Sequence, residues 1–304
     1  ECPFFLWIVF EAPHSPFDPP EPYDRMYDRI SVPAPLRGAW LDEHDPPAFR
    51  AKRTMMKYDH LTDEMVAEAR RKYYGQVSHI DYQLGRFLGE LQTLGLYGET
   101  AIAFTADHGE HLGDHGLWAK TTFLHGSADV PLVLRLPASH PPARTNLVVD
   151  TPALTADVCP TFLDLAGLEP DEACDGVSLL PALRDGRTDE PRMVFGECGP
   201  TAMATDGRLK YIYHEAGGVE QLFDTRADRE NLRDLSASVD AAEAGASLRG
   251  ALIDHLRRFD RPMATGEPLR ATDGAVDVDA LRGSNAFAYR GPMRHGRGYH
   301  GYAG

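Results

Sequence analysis

Basic side chains and cysteines are both scarce in this 304-residue chain. Lys and Arg total 31 against 46 Asp and Glu, a formal net charge of -15. A surface of that sign repels a phosphate backbone over most of its area, which argues against a nucleic-acid partner. The four cysteines (Cys2, Cys159, Cys174 and Cys198) show no CxxC spacing, so neither a disulfide framework nor a zinc ribbon is read from them. They leave the compartment open. Long hydrophobic runs are also missing. The apolar run at residues 4–10 is too short to span a bilayer and lacks the basic flank and small-residue cleavage site of a secretory leader. It reads as a buried strand, and no membrane partner is expected. There is no initiator Met, and a chain opening on a core strand is expected to be a fragment of a longer protein. Internal repeats are absent. What the chain does have is 42% hydrophobic residues, enough for a sizeable core in one large domain or two smaller ones.

The chain's organisation follows from its punctuation. Residues 12–47 form a loop dense in Pro and Asp, and long loops in compact domains often build sites. Over residues 62–93, Met65, Ala69, Tyr73, Val77, Ile80, Leu84, Leu88 and Leu91 recur at three- and four-residue steps. That spacing predicts one amphipathic helix with Thr62 as N-cap, Gly95 as the stop and an interruption near Gly75. Short apolar strands are expected at 100–105 and 130–136, and a further helix at 154–165. This order suits an α/β sheet flanked by helices, with ligands gathered beyond the carboxyl ends of its strands. After Pro191, short apolar runs at 193–197, 203–205, 209–214 and 219–223 alternate with Asp-Gly and Gly-Gly turns, the pattern of an antiparallel meander. A helix at 241–259 would pack on it. The tail, 261–304, is rich in Gly, Arg, His and Tyr without a sustained period and reads as disordered or as a docking arm for a homo-oligomer. The expected division is a main unit at 1–190, a small antiparallel subdomain at 191–260 and an extended tail at 261–304.

Chemistry concentrates at residues 104–120. Asp107 and His108 stand immediately after the 100–105 strand, where a carboxylate and an imidazole can reach one cation and Gly109 lets the chain turn. The competing reading is a polar turn whose histidine bonds to backbone. Four histidines and two further carboxylates, Glu110 and Asp114, fall within eighteen residues, which reads as too many polar groups for a packing loop. Lys120 closes the run as a point charge suited to sulfate or phosphate oxygens, or else as a solvated surface lysine.

These residues resemble the sulfatase family. Its members carry a strand ending in Asp-Asn/His-Gly, then Leu-Gly-Asp/Glu-His-Gly, a lysine and a Val-Pro-Leu strand; here these are Asp107-His108-Gly109, Leu112 to Gly116, Lys120 and Val130-Pro131-Leu132. Four further blocks agree in order: the 4–10 run leading into Pro13-His14-Ser15-Pro16-Phe17; Tyr73-Tyr74-Gly75 through Leu84-Gly85-Arg86; Asp175 to Leu180; and Gly207-Arg208-Leu209-Lys210-Tyr211 through Leu222-Phe223-Asp224. The resemblance implies an alkaline phosphatase-like α/β fold, with a mixed, mainly parallel sheet between helices and a small C-terminal antiparallel sheet plus helix. It implies that Asp107 and His108 bind a divalent metal ion, Ca²⁺ or Mn²⁺, the imidazole mildly favouring metals that accept nitrogen ligands. His14 and Lys120 would be the catalytic, substrate-binding pair on the sulfate group, with His14 protonating the leaving oxygen.

One part of the pattern is missing. Sulfatases use Cys or Ser in C-x-P/A-S/T-R, oxidised to formylglycine, together with N-terminal acidic metal ligands. The run from Cys198 imitates this motif, but Ala202 stands where Arg is needed, and the imitation is read as coincidence. The expected activity is therefore sulfate ester hydrolysis by a small-ester hydrolase whose nucleophile segment lies outside this chain, the chain alone being inactive. The alternatives are a phosphonate monoester or phosphodiester hydrolase, and a non-catalytic anion-binding relative.

Overall fold

The computed structural model describes residues 3–142, 145–171, 174–186, 191–266 and 269–274. The end of the stretch expected as a Pro-rich loop is helical: α1 (Trp40–Glu43) lies within it and α2 (Pro47–Met56) begins at its last residue, both ahead of the long helix α3 (Asp63–Thr93). The Thr62 hydroxyl accepts the Met65 N–H at 3.3 Å, so a side-chain cap satisfies one of the amides that open this helix. Gly75 does not interrupt it. Any Cβ at Gly75 would lie 2.5 Å from the Tyr23 carbonyl oxygen; the glycine serves as the gap through which the Pro-rich loop closes on the helix.

Strand β1 (Ile102–Thr105) pairs antiparallel with β2 (Leu132–Arg135), and the short helix α4 (His125–Ala128) lies between them in sequence. The mainly parallel sheet expected from the sequence is not found among the described residues, where all six strands pair antiparallel. Residues 4–10 form no strand, and Phe5 and Val9 are 72% and 74% exposed. Apolar content alone does not bury a segment, because a strand also needs a neighbour for its backbone groups. Helices α5 (Val158–Leu165) and α6 (Leu180–Asp185) complete this half.

The meander is realised as β3 (Val194–Cys198), β4 (Thr201–Thr205), β5 (Leu209–His214) and β6 (Val219–Asp224), in that order across the sheet. Alternation along the strands gives it two apolar faces. Ala202, Ala204, Tyr211, Tyr213 and Leu222 meet Leu248, Leu252 and Leu256 of α7 (Ala242–Arg258), which recur at four-residue steps along one helical stripe. On the opposite face Met203, Ile212 and Phe223 pack with Trp40, Phe49, Leu117 and Leu124. That second face is the floor under residues 109–124. The first part of the predicted tail is not extended: Met263, Ala264 and Leu269 are buried, and the Tyr213 hydroxyl lies 3.1 and 3.0 Å from the carbonyl oxygens of Leu269 and Arg270. Apolar burial, these hydrogen bonds and the Arg270–Glu215 ion pair together dock it. The rest of the tail, 275–304, and the oligomeric contact expected of it lie outside the described residues.

A buried guanidinium ties α3 to the same loop. Arg70 donates to the carbonyls of Leu112 (2.9 Å) and Pro33 (2.8 Å) and to Asp114 Oδ1 (2.5 Å), and its side chain is only 7% exposed. Removing it takes the charged partner from Asp114, whose Oδ1 keeps only the Leu36 N–H at 2.8 Å, and a donor from two carbonyls, so Arg70→Met is expected to lower unfolding free energy by about 3–5 kcal/mol. Urea denaturation measures this, and a loss below ~1 kcal/mol would contradict the assignment.

Candidate active site

β1 delivers the first two groups. Just past its end, Asp107 Oδ1 accepts the His108 N–H at 3.0 Å, and Oδ2 lies 3.6 Å from His108 Nε2. His108 Nδ1 lies 2.8 Å from the Gly109 carbonyl oxygen; a carbonyl can only accept, so Nδ1 donates there and Nε2 is the ring nitrogen that faces Asp107. Gly109 is a requirement of packing, because a Cβ there would sit 2.2 Å from the Gly126 carbonyl oxygen. The Asp107 side chain is 88% exposed.

The Pro-rich loop brings the third group. Phe17 packs edge-on against Tyr73, with centroids 5.8 Å apart, and lies 6.3 Å from the Trp118 ring, while Gln76 of α3 donates to the Pro16 carbonyl at 3.0 Å. These contacts hold His14 over β1's end, its ring centroid 5.8 Å from that of His108. His14 Nδ1 donates to the Ser15 carbonyl at 2.8 Å, and Nε2 accepts from Lys120 Nζ at 2.6 Å. Thus Asp107, His108, His14 and Lys120, separated by up to 106 positions, form one chain of contacts. Lys120 Nζ thus has a side-chain neighbour far away in sequence.

Other polar groups of the segment have structural work. His111 is 1% exposed, with Nε2 2.9 Å from Thr122 Oγ1, and burial holds its pKa well below the ordinary imidazole value. His115 is buried too; Nδ1 accepts the Gly38 N–H at 3.2 Å and Nε2 donates to the Glu230 carbonyl at 3.1 Å. Burial lowers its pKa as well. Asp114 is the partner of Arg70, and His125 that of Asp129 at 2.7 Å. The histidines at 111, 115 and 125 are thus engaged within the fold, by a hydroxyl, by backbone and by a carboxylate in turn. Among the described residues no group of three or more His, Cys, Asp or Glu is placed to hold a metal. Asp107 and His108 are chemically suited to share one divalent ion, as two donors of a set that needs at least four.

Lys52 was not foreseen. On α2 it is 6% exposed, donates to the Lys120 carbonyl and lies 3.2 Å from Thr121 Oγ1. The available signal was its helical spacing from Phe49 and Met56, which puts a cation beside apolar neighbours. Burial pushes its pKa down to about 8, against the opposing charge of Glu110 and Cys198 and with help from Lys120. Burial raises the Glu110 pKa, against the hydrogen bonds its carboxylate accepts from the N–H groups of Leu112 and Ala119. Cys198 closes β3 at a hairpin turn, and burial pushes its thiol pKa up, the opposite of what activates a cysteine nucleophile.

The Lys52 proton sets a testable slope. Its pKa is lower folded than unfolded, so the unfolded chain binds more protons and stability rises with pH from about 8 to the ordinary 10.5. Relative to Lys52→Met, the wild type is expected to gain about 3 kcal/mol across that window. Parallel stability curves for the two proteins would contradict this.

Comparison with known proteins bears on the whole arrangement. The sulfatase family model matches residues 1–168. An arylsulfatase of Clostridium perfringens is 31% identical over 272 residues, covering 88% of this chain and 56% of the relative. A choline-sulfatase of Rhizobium meliloti is 34% identical over 246 residues, covering 77% and 46%. The chain spans about half the length of the curated relatives it matches. Among solved structures, the phosphonate monoester hydrolase of Silicibacter pomeroyi superposes with a TM-score of 0.69 at 29% identity, covering 81% of this chain and 54% of that one. The corresponding enzyme of Agrobacterium radiobacter gives 0.68 at 28% identity, covering 85% and 57%. The fold is thus sulfatase/alkaline phosphatase-like, and with more than half of its residues inside the family match, this chain belongs to the sulfatase family.

Proposed function

We propose that this chain carries half of a metal-dependent sulfate ester hydrolase site. The observation that supports this reading most is the Lys120–His14 contact of 2.6 Å beside the Asp107–His108 pair. Two potentially cationic groups brought together favour an anion bound against both. Asp107 and His108 Nε2 would hold one side of a divalent ion, Ca²⁺ or Mn²⁺, which when bound supplies Lewis-acid polarisation of the ester oxygens. Lys120 offsets charge developing on those oxygens. His14, anchored through Nδ1 to the Ser15 carbonyl, exchanges its proton at Nε2 and protonates the departing alcohol.

The nucleophile and the opposing acidic ligands would come from residues outside these 304. Two features support this: the chain covers 56% and 46% of the relatives' lengths, and residues 4–10 expose a contiguous apolar surface of the kind that marks an interaction site. A second reading, phosphonate monoester hydrolysis, is favoured by the likeness to two hydrolases of that class.

Turnover assays test the proposal. The 304-residue chain is expected not to hydrolyse p-nitrophenyl sulfate or phenylphosphonate esters, whereas the chain joined to the upstream segment proposed for it hydrolyses the sulfate preferentially. A preference for the phosphonate would select the second reading. Turnover by the shorter chain, abolished by Cys198→Ala, would make Cys198 the nucleophile and overturn the proposal. In the extended enzyme, His14→Ala should lower kcat by about 10²–10⁴-fold for alkyl sulfates and far less for p-nitrophenyl sulfate, whose leaving group needs no proton. Equal losses on both would remove the general-acid role.

A further inference from the structure

Lys120 sits between two residues in unusual backbone conformations: φ is +58° at Ala119 and +79° at Thr121. Neither is glycine, and the left-handed region is unfavourable for Ala and more so for β-branched Thr. Such a conformation persists only where surrounding contacts over-determine it. Here they do. The Ala119 N–H is taken by the Glu110 carboxylate, the Ala119 carbonyl by the His111 N–H at 3.1 Å, and the Lys120 carbonyl by Lys52 Nζ and the Thr121 hydroxyl. Lys52 reaches this point from α2, with Phe49 of the same helix buried against Trp40 and Leu117. A buried cation is costly wherever an apolar side chain would pack as well, so its presence on the inner side of α2 calls for a role.

We propose that Lys52 is a positioning residue: its ammonium clamps the peptide at Lys120 in a strained turn that aims the Lys120 side chain at His14 and at an anion bound against both. The inference rests on the anion-site reading above. It predicts that loss of Lys52 weakens anion binding although Lys52 itself acts through Lys120.

The test is a titration of the 304-residue chain with inorganic sulfate, followed by the ring ¹⁵N shifts of His14, under conditions where circular dichroism shows each variant folded. Wild type should give a saturable shift. Lys52→Met should raise the sulfate Kd about tenfold, the worth of one charge-assisted hydrogen bond, and Thr121→Val about threefold. A purely structural Lys52 would leave affinity unchanged in the folded variant. If Lys120→Met weakens sulfate binding while Lys52→Met and Thr121→Val bind as wild type, the positioning role is overturned and the anion site stands. If Lys120→Met also binds as wild type, or wild type gives no shift, the anion site itself falls. Should Lys52→Met fail to fold, an unchanged Kd in Thr121→Val overturns the proposal.

Discussion

The polar groups of the candidate site depend on an apolar contact beneath them. Leu117 and Leu124, both fully buried, pack with Met203, Ile212 and Phe223 of the C-terminal sheet and with Trp40 and Phe49 of the N-terminal half. Burying each such side chain is worth about 1.5–3 kcal/mol, and these residues bracket Lys120 in sequence. The C-terminal meander is therefore a platform for the site loop, and α7 covers the platform's other face. Strands and helix that carry no proposed chemistry still fix where Lys120 stands.

Over that floor the loop is held by charges brought from helices. Arg70 of α3 grips Leu112 and Asp114 at one end, and Lys52 of α2 grips Lys120 at the other. Asn231 adds a third tie: its side-chain oxygen accepts the His125 N–H at 2.7 Å and its carbonyl accepts the Trp40 indole N–H at 2.8 Å. Buried groups bonded in this way favour one arrangement, since a shift of the loop would break these bonds where water cannot replace them. A loop fixed by such ties can present Asp107, His108 and Lys120 together without a helix or long strand to carry them.

How much of this was legible in the sequence depended on whether a residue's role is local. The meander was readable because Asp206-Gly207 and Gly217-Gly218 mark its turns, and the glycines at 207, 217 and 218 do take positive φ. α3 was readable from spacing, although Gly75 misled: its role is set by Tyr23, far away in sequence. Asp107, His108 and Lys120 could be picked from one motif, whereas His14, in an unremarkable Pro-rich loop, was visible only through the order of several blocks. The density of histidines misled because composition cannot separate an imidazole bonded within the fold, as His111 is to the Thr122 hydroxyl and His115 to the Glu230 carbonyl, from one awaiting a ligand. Residues 4–10 were misread for a similar reason, since a strand is defined by its partner. Lys52 escaped because its acceptor is a backbone carbonyl 68 positions away.

We have proposed that Asp107, His108, His14 and Lys120 are parts of one site for a metal-bound anion. Crystals of the chain joined to the upstream segment proposed for it, grown with Mn²⁺ and sulfate, put this to the test. An anomalous manganese peak within about 2.6 Å of Asp107 and His108 Nε2, with sulfate oxygens on Lys120 Nζ and His14, is the predicted result. Manganese bound elsewhere, with Lys120 and His14 still closed on each other and no anion bound against them, would contradict it.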